Sequence, residues 1–578
     1  MTTSTTSHVH EADVLVIGAG GAGLRAAIEA SALGARVAII CKSLLGKAHT
    51  IVAEGGIAAA VGSVDPRDNW KAHFHDTMHG GKFVNNWRMA ELHAKEAPNE
   101  IRNLELWGAL FDRTESGGIM QRLFGGHTYK RLVHVGDRTG LELIRTLQDK
   151  AVADRISVYM EHTITKLLKR DGRICGALGY VRETGHTVVF RAPAVIIATG
   201  GSGRIYSVTS NSWEGTADGP ALAFRAGAEL MDMEFIQFHP TGMVWPHAVR
   251  GILVTESVRG EGGYLTNSKG ERFMERYDPA RMELSTRDVV ARAIYTEVKE
   301  GRGSPHGGAY LSIAHKPADF VRRKLPSMYE QFMAFAKVDI TKEPMEVYPT
   351  THYFMGSIRV DAETAATNVV GLFAAGEAAA GLHGANRLGG NSLSDLLVFG
   401  ARAGRGAAEY ALGASHQSPD PEDLVAAERE QYAPFEATGE NPFTLQDELQ
   451  NMMMSEVGVY RRRDKLETAL ARLAELQHRA KTVRATGSVM YNPVWHTALD
   501  VKNMTLIAET IAKSALMREE SRGAHTRVDF PEYSEHFVKG NVICRYDGER
   551  VHAEFVEQKP MPNELAEIVH EKKFEVAS

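Results

Sequence analysis

Cysteine is almost absent from this chain. Its 578 residues hold three, Cys41, Cys175 and Cys544, far apart and with no CxxC pair. That excludes a disulfide framework and a complete iron–sulfur site built from the chain's own thiolates, and it fits a reducing, cytosolic compartment. Long apolar runs are absent too: no eighteen consecutive apolar residues occur, so no membrane-crossing helix is expected. The start, Met1 to Glu11, has neither the basic nor the apolar region of a cleaved Sec-type signal. Positive charge is not in excess. With 66 Lys and Arg against 72 Asp and Glu, a formal charge of -6 and no long basic run, nucleic acid is not an expected partner.

What is present is glycine, gathered at a few places. The first follows Ala12-Asp-Val-Leu-Val-Ile17 and reads Gly18-Ala-Gly20-Gly-Ala-Gly23-Leu-Arg-Ala-Ala. A buried parallel strand, a tight turn and a helix are expected, with Gly18 making the turn, Gly20 admitting a pyrophosphate and Gly23 letting helix pack on strand. The phosphates would sit at the helix N-terminus, where free N–H groups favour anions. A plain glycine-rich turn is the alternative. The strand before the glycines and the Ala-rich helix after them favour a dinucleotide.

The next strand, Ala35 to Ile40, should end in an acid if it held ribose hydroxyls in the usual way, but it ends Cys41-Lys42-Ser43. That counts against NAD. It turns attention to His49, twenty-six positions past Gly23, to Thr50, and to the small-residue run that opens with Gly55 and Gly56. A nucleophilic imidazole at that place could bond a flavin; a hydrogen-bonded loop histidine is the bland alternative.

Two more apolar strands run into glycine: Ala194-Val-Ile-Ile-Ala-Thr199-Gly200, and Asn368 to Gly376-Glu377, where Glu377 could accept from ribityl hydroxyls. Three such signatures in this order are the arrangement of an FAD fold. The expected architecture is α/β: a Rossmann-like FAD-binding domain in two parts, 1–238 and 353–430, interrupted by an inserted α+β capping domain at 239–352. A helical bundle over 431–525 and a small tail domain over 526–578 follow. In the bundle, apolar residues from Leu449 to Leu473 recur at helical spacing, and Asn492-Pro493 breaks the pattern before a helix over 501–518.

Polar residues beside glycine or proline mark the chemistry. Gly381-Leu-His383-Gly-Ala-Asn386-Arg387-Leu-Gly-Gly-Asn391-Ser392-Leu393 offers a guanidinium and free backbone, and opens a helix expected over 394–402. Arg387 suits a carboxylate because its planar fork can bind both oxygens. Similar stretches surround His239, Thr255-Glu256, Arg259, Arg287 and His352. By contrast His73, His75, Asp76 and His79 resemble a metal site in composition only. On a helix His75 and His79 share a face while His73 points elsewhere, so no metal is expected.

Taken in order, these motifs, with Glu520-Ser-Arg-Gly-Ala-His525, resemble the flavoprotein subunit of succinate dehydrogenase and fumarate reductase over residues 12 to about 530. The resemblance implies FAD covalently attached through His49 to the flavin 8α carbon. It implies that His239, Thr255, His352 and Arg387 hold the two carboxylates of succinate or fumarate, with Phe124 walling the site. Arg287 would exchange a proton relayed through Glu256 and Arg259 while flavin N5 exchanges hydride. The cofactor set implied is Gly18, Gly20, Gly23, Lys42, Ser43, His49, Thr50, Gly55, Gly56, Thr199, Gly200, Asp218, Glu377, Asn391, Ser392 and Leu393. The partners would be a membrane anchor passing electrons to quinone and an iron–sulfur subunit, with the complex on the cytoplasmic face of a bacterial membrane.

Three stretches depart from the pattern or leave it open. Position 54 is glutamate, as in many fumarate reductases, where many succinate dehydrogenases carry glutamine; its charge is expected to disfavour a reduced flavin anion, and direction stays open. His127 to His134 and Glu532 to Phe537 are unlike the usual family sequence. A soluble L-aspartate oxidase-like enzyme shares the fold and dicarboxylate site but lacks the linking histidine. A non-catalytic flavin module is opposed by the intact set of His239, Glu256, Arg287, His352 and Arg387.

Overall fold

The computed structural model describes residues 8–571 and 574. Its centre is a five-stranded parallel sheet in the order Leu372–Ala374, Ala194–Ile197, Val14–Ile17, Val37–Ile40, Ser157–Tyr159. Every residue of Val14–Ile17, Val37–Ile40 and Ala194–Ile197 is buried, the unbroken apolar pattern of strands covered on both faces. Ile17 pairs with Ile197 and Ile197 with Ala374, so the three glycine signatures leave the sheet at one level. Ligands of such sheets bind outside that carboxyl edge.

Helices Gly21–Ala32 and Asn391–Gly413 pack together beside the sheet. The approach needs residues without side chains: a Cβ on Gly404 would lie 2.2 Å from Ala26 O, and one on Gly23 would lie 1.9 Å from Gly18 O. Gly18 itself, at φ +114°, adopts backbone closed to other residues, and its absent Cβ would meet Ala198 O at 2.2 Å. The second helix begins at Asn391, earlier than its expected start at 394, because Gly390 turns left-handed at φ +83° and sets the N-cap there; it runs on to Gly413.

A second, antiparallel sheet has the order Ile236–Met243, Met345–Phe354, Ala309–Ser312, Tyr264–Thr266, with a separate core that includes Val254, Leu265, Val290, Leu311 and Val347. The pairing of its first two strands is irregular. Gln237 pairs with Tyr353 and Phe238 with Thr351, so His352 is an extra, bulged residue; a second shift follows His239. Bulges re-aim side chains, and these two lie where His239 and His352 meet.

The apolar repeat between Leu445 and Arg479 is two helices, Pro442–Glu456 and Arg463–Ala480, interrupted around Gly458. Asn492-Pro493 is a start rather than a break: the Asn492 side chain accepts from Val494 and Trp495 N–H, proline takes the first helical position, and the helix runs Pro493–Met517. Beyond it, strands Gly540–Tyr546 and Val551–Glu557 join a sheet with Leu230–Met231, Ser357–Arg359 and Ala379–Ala380. No helix among the described residues is long and apolar enough to cross a membrane.

Candidate active site

A cleft of about 1430 Å³, including its open mouth, lies along the carboxyl edge of the parallel sheet. Gly18, Gly20, Lys42, Ser43, His49, Thr50, Thr199, Gly200, Asp218, Glu377, Ser392 and Leu393 line it. Several features fit a dinucleotide. The Thr199 hydroxyl is buried without a partner, and nothing stands within 4 Å of where a Gly200 side chain would begin. Thr50 Oγ1 accepts from Gly21 N–H at 3.3 Å, tying the His49 loop to the helix N-terminus where phosphates would lie. Lys42, standing where an acid is usual, bonds Asp218 at 3.0 Å and Asp500 at 3.1 Å. Those carboxylates hold it charged against its burial.

Four residues of the expected cofactor set do not line the cleft. Gly23 serves helix packing, Gly55 makes room for the Phe124 ring, and Gly56 lies against Val133 O. Asn391 turns its side chain away, receiving His73 and donating to Thr77 Oγ1 at 3.1 Å, so only its backbone can face a ligand.

At one end the cleft reaches His352 and Tyr353, and there the expected substrate residues gather. Gln237 stands at the middle: its Oε1 accepts from Arg287 Nη1 at 3.1 Å and from Arg387 Nη2 at 3.0 Å. Its Nε2 donates to Asn386 Oδ1 and to Arg387 O, both at 2.8 Å, which fixes the amide's orientation. Arg287 Nε donates to Glu256 Oε2 at 2.8 Å, and Arg259 Nη2 lies 3.9 Å from the same oxygen. The His239 and His352 rings are 5.1 Å apart, edge to face, and Ser210 Oγ lies 2.8 Å from His352 Nδ1. Phe124 is wedged between Gly55 and Gly389, where absent Cβ atoms would approach its ring to 2.6 and 2.7 Å.

The family model described as "FAD binding domain" matches residues 13–393, and that described as "Fumarate reductase flavoprotein C-term" matches 446–571. The chain belongs to the succinate dehydrogenase and fumarate reductase flavoprotein family. Mycobacterium smegmatis Sdh1, solved in complex with UQ1, is 55% identical with a TM-score of 0.90, the match covering 98% of each chain. In Methanothermobacter marburgensis, one polypeptide of the CoM/CoB fumarate reductase is 49% identical over 541 residues, covering 93% of this chain and 98% of that protein. A mutant of Escherichia coli quinol fumarate reductase FrdA is 35% identical with a TM-score of 0.91, covering 96% and 98%.

Electrostatics in this family member separate the cleft's residues. Burial, then Arg204, lowers half-buried His49 to about 4, so its ring is the neutral, nucleophilic form at pH 7. Glu256, despite burial, is held at about 2 by Arg287 and Arg259. Burial, then Arg287, lowers Arg387 to about 9; its Nε has no partner, and its guanidinium lies 4.4 Å over the Tyr353 ring. Burial drives His239 and His352 well below the usual histidine range, so both are neutral. The charge expected at Glu54 is missing at neutral pH: burial, then Asp137, raises its carboxyl to about 8, beside Thr255.

Gln237 and Asn386 lie inside the polar motifs, yet the sequence alone gives them no role; the signal for Gln237 is its place two residues before His239, on the same strand face. Ser392, expected at the cofactor, also accepts from Arg387 Nη1 at 2.9 Å. The metal-like histidines are spent elsewhere: His79 reaches Val569 O, Asp76 pairs with Arg131, and the His75 and His79 rings lie 4.2 Å apart on one helix face. Among the described residues no group of three such donors could hold a metal.

Proposed function

We propose that this chain interconverts succinate and fumarate, with FAD bonded to His49. The observation that carries the reading is the excess of positive charge at the buried end of the cleft. Buried Arg259 and Arg387 and the partly exposed Arg287 stand about one ion-paired carboxylate, Glu256, while both nearby histidines are neutral. The guanidinium groups outnumber the carboxylate they ion-pair with, an excess of positive charge that a dicarboxylate dianion would match and that would be costly in a site built for anything else.

Arg387 has a free Nε–H and a planar fork suited to one carboxylate. Thr255, His239 and His352 offer neutral hydrogen-bonding groups for the other. Arg287, pinned through Nε by Glu256 and through Nη1 by Gln237, keeps Nη2 for a proton at the substrate carbon. Deprotonating a guanidinium is ordinarily prohibitive. Here Glu256, in contact with both Arg287 and Arg259, relays the proton. Bound FAD supplies the two-electron acceptor or donor for the hydride. A membrane anchor, quinone and an iron–sulfur subunit complete the reading, the chain lying peripherally on the cytoplasmic face, as implied for assemblies of this family.

The linkage is tested by denaturing the purified flavin-loaded chain in acid. Yellow fluorescence staying with the protein is expected, and its loss on His49→Ala. Free flavin released from the natural chain would sink the covalent assignment and favour the aspartate oxidase-like alternative.

A further inference from the structure

Behind the turn that carries Arg387 lies a group of histidines that the chemistry above does not use. His127 Nε2 lies 2.8 Å from Gly389 O, His73 Nε2 lies 2.9 Å from Asn391 Oδ1, and His93 Nε2 lies 2.8 Å from Ser394 Oγ. All three side chains are buried, the His73 ring 4.9 Å from His93 and 6.3 Å from His127. Each grips a different residue of one turn.

Their partners fix their protons. A carbonyl only accepts, so His127 donates through Nε2. Asn391 gives its amide N–H to Thr77, leaving Oδ1 to accept, so His73 also donates through Nε2. His93 bonds the Asn391 carbonyl as well as the Ser394 hydroxyl, and a carbonyl only accepts; with its Nδ1 unpartnered, His93 too donates through Nε2. In all three rings Nδ1 is then bare, and each Nδ1 is buried without a partner. A proton there would have no acceptor, and burial accordingly holds His93 at about 3 and His127 at about 4.

The turn they grip is part of the site. A Cβ on Gly389 would lie 2.7 Å from the Phe124 ring, 3.4 Å from Arg287 Nη2 and 3.6 Å from Glu256 Oε2. Gly390 O accepts from Ala58 N–H at 3.1 Å on the opposite side, and Ser392 Oγ accepts from Arg387. We propose that His127, His73 and His93 are positioning residues which, as neutral Nε2–H donors, hold the Gly389–Ser394 turn and so set Arg387 and the N-terminus of helix 391–413 against substrate and flavin. The inference rests on the dicarboxylate reading.

The test uses the flavin-loaded chain and malonate, a dicarboxylate that does not react, followed through the flavin absorbance. His127→Leu strands the Gly389 carbonyl and is expected to weaken malonate about tenfold, with KM for succinate rising in parallel. His127→Gln, whose Nε2–H can reach the same carbonyl, should bind within about twofold of the natural chain. His73→Leu and His73→Gln should repeat the contrast. Unchanged malonate binding in the leucine variants, with only thermal stability lowered, would overturn the proposal. If those variants do not hold flavin, imidazole ¹⁵N signals of the natural chain decide, each assigned by its loss in the matching glutamine variant. Three Nε2–H tautomers support the array, and an Nδ1–H at any of them overturns it. A natural chain that ignores malonate would instead refute the dicarboxylate reading, leaving the tautomers to judge the array.

Discussion

Around Gln237 three guanidinium groups meet one carboxylate; around Arg518 a second buried cluster is built from the same residue types and charged quite differently. Arg518 pairs with Glu234, with Glu520 at 3.0 Å and with Asp232 at 3.5 Å, and Arg522 Nε bonds Glu520 at 2.8 Å. Burial, then Glu234, raises Asp232 to about 8. Each of these two arginines has a carboxylate at ion-pair distance. Arg518 donates further to Phe537 O, and Arg522 to Lys82 O and Ser534 O, so the cluster ties together segments from across the chain. At the candidate site, Arg387 Nε and Arg259 Nε and Nη2 make no hydrogen bond, and the pKa of Arg387 falls where that of Arg518 rises. Arg518 and Arg522 use their nitrogens on the protein, whereas Arg387 and Arg259 leave some unused.

The comparison can be broken at either end. Arg287→Gln is expected to lower turnover by about 10³ to 10⁴ while malonate binds within a few-fold of normal, as stopped-flow and flavin titration would report. Retained turnover would remove Arg287 from proton transfer. Arg518→Met should cost about 3–5 kcal/mol in denaturant unfolding, because it leaves Glu234 buried without its ion-pair partner, yet leave turnover per folded molecule nearly intact. Loss of turnover without loss of stability would erase the distinction between the clusters.

A gentler probe is pH. Arg387 is charged below about 9 in the free protein. Malonate affinity should therefore be flat between pH 7 and 8 and fall as pH rises through 9, by about tenfold per unit. Affinity unchanged up to pH 10 would take Arg387 out of carboxylate binding. The smallest effect is expected at Glu54. Its carboxyl ionises as pH rises through about 8, so Glu54→Gln should shift flavin potential little at pH 7 and visibly at pH 9. An equal shift at both values would mean that the charge is present throughout.

Much of this is legible in the residues. The three glycine-ended strands point to one sheet edge because apolar runs of that length, each closed by glycine, have few other solutions. Arg287, Glu256, Arg387, His239 and His352 announce themselves as polar residues in stretches that could not be ordinary core. Gln237 does not, because its role depends on a bulge that skips His352, and register is set across strands rather than along one. Asn391 reads from its neighbours as cofactor-facing; only the packing of His73 and Thr77 behind the turn shows which way its amide points. The absent charge on Glu54 is likewise invisible in the sequence, since burial is a property of the fold.

The central claim is that the Gln237 cluster accepts a dicarboxylate and passes its electrons to flavin. Adding succinate anaerobically to the purified, flavin-loaded chain tests it most directly. The flavin absorbance should bleach, fumarate should restore it, and Arg287→Gln should abolish both responses. A natural chain whose flavin stays oxidised in saturating succinate, and whose chemically reduced flavin is not reoxidised by fumarate, would contradict it.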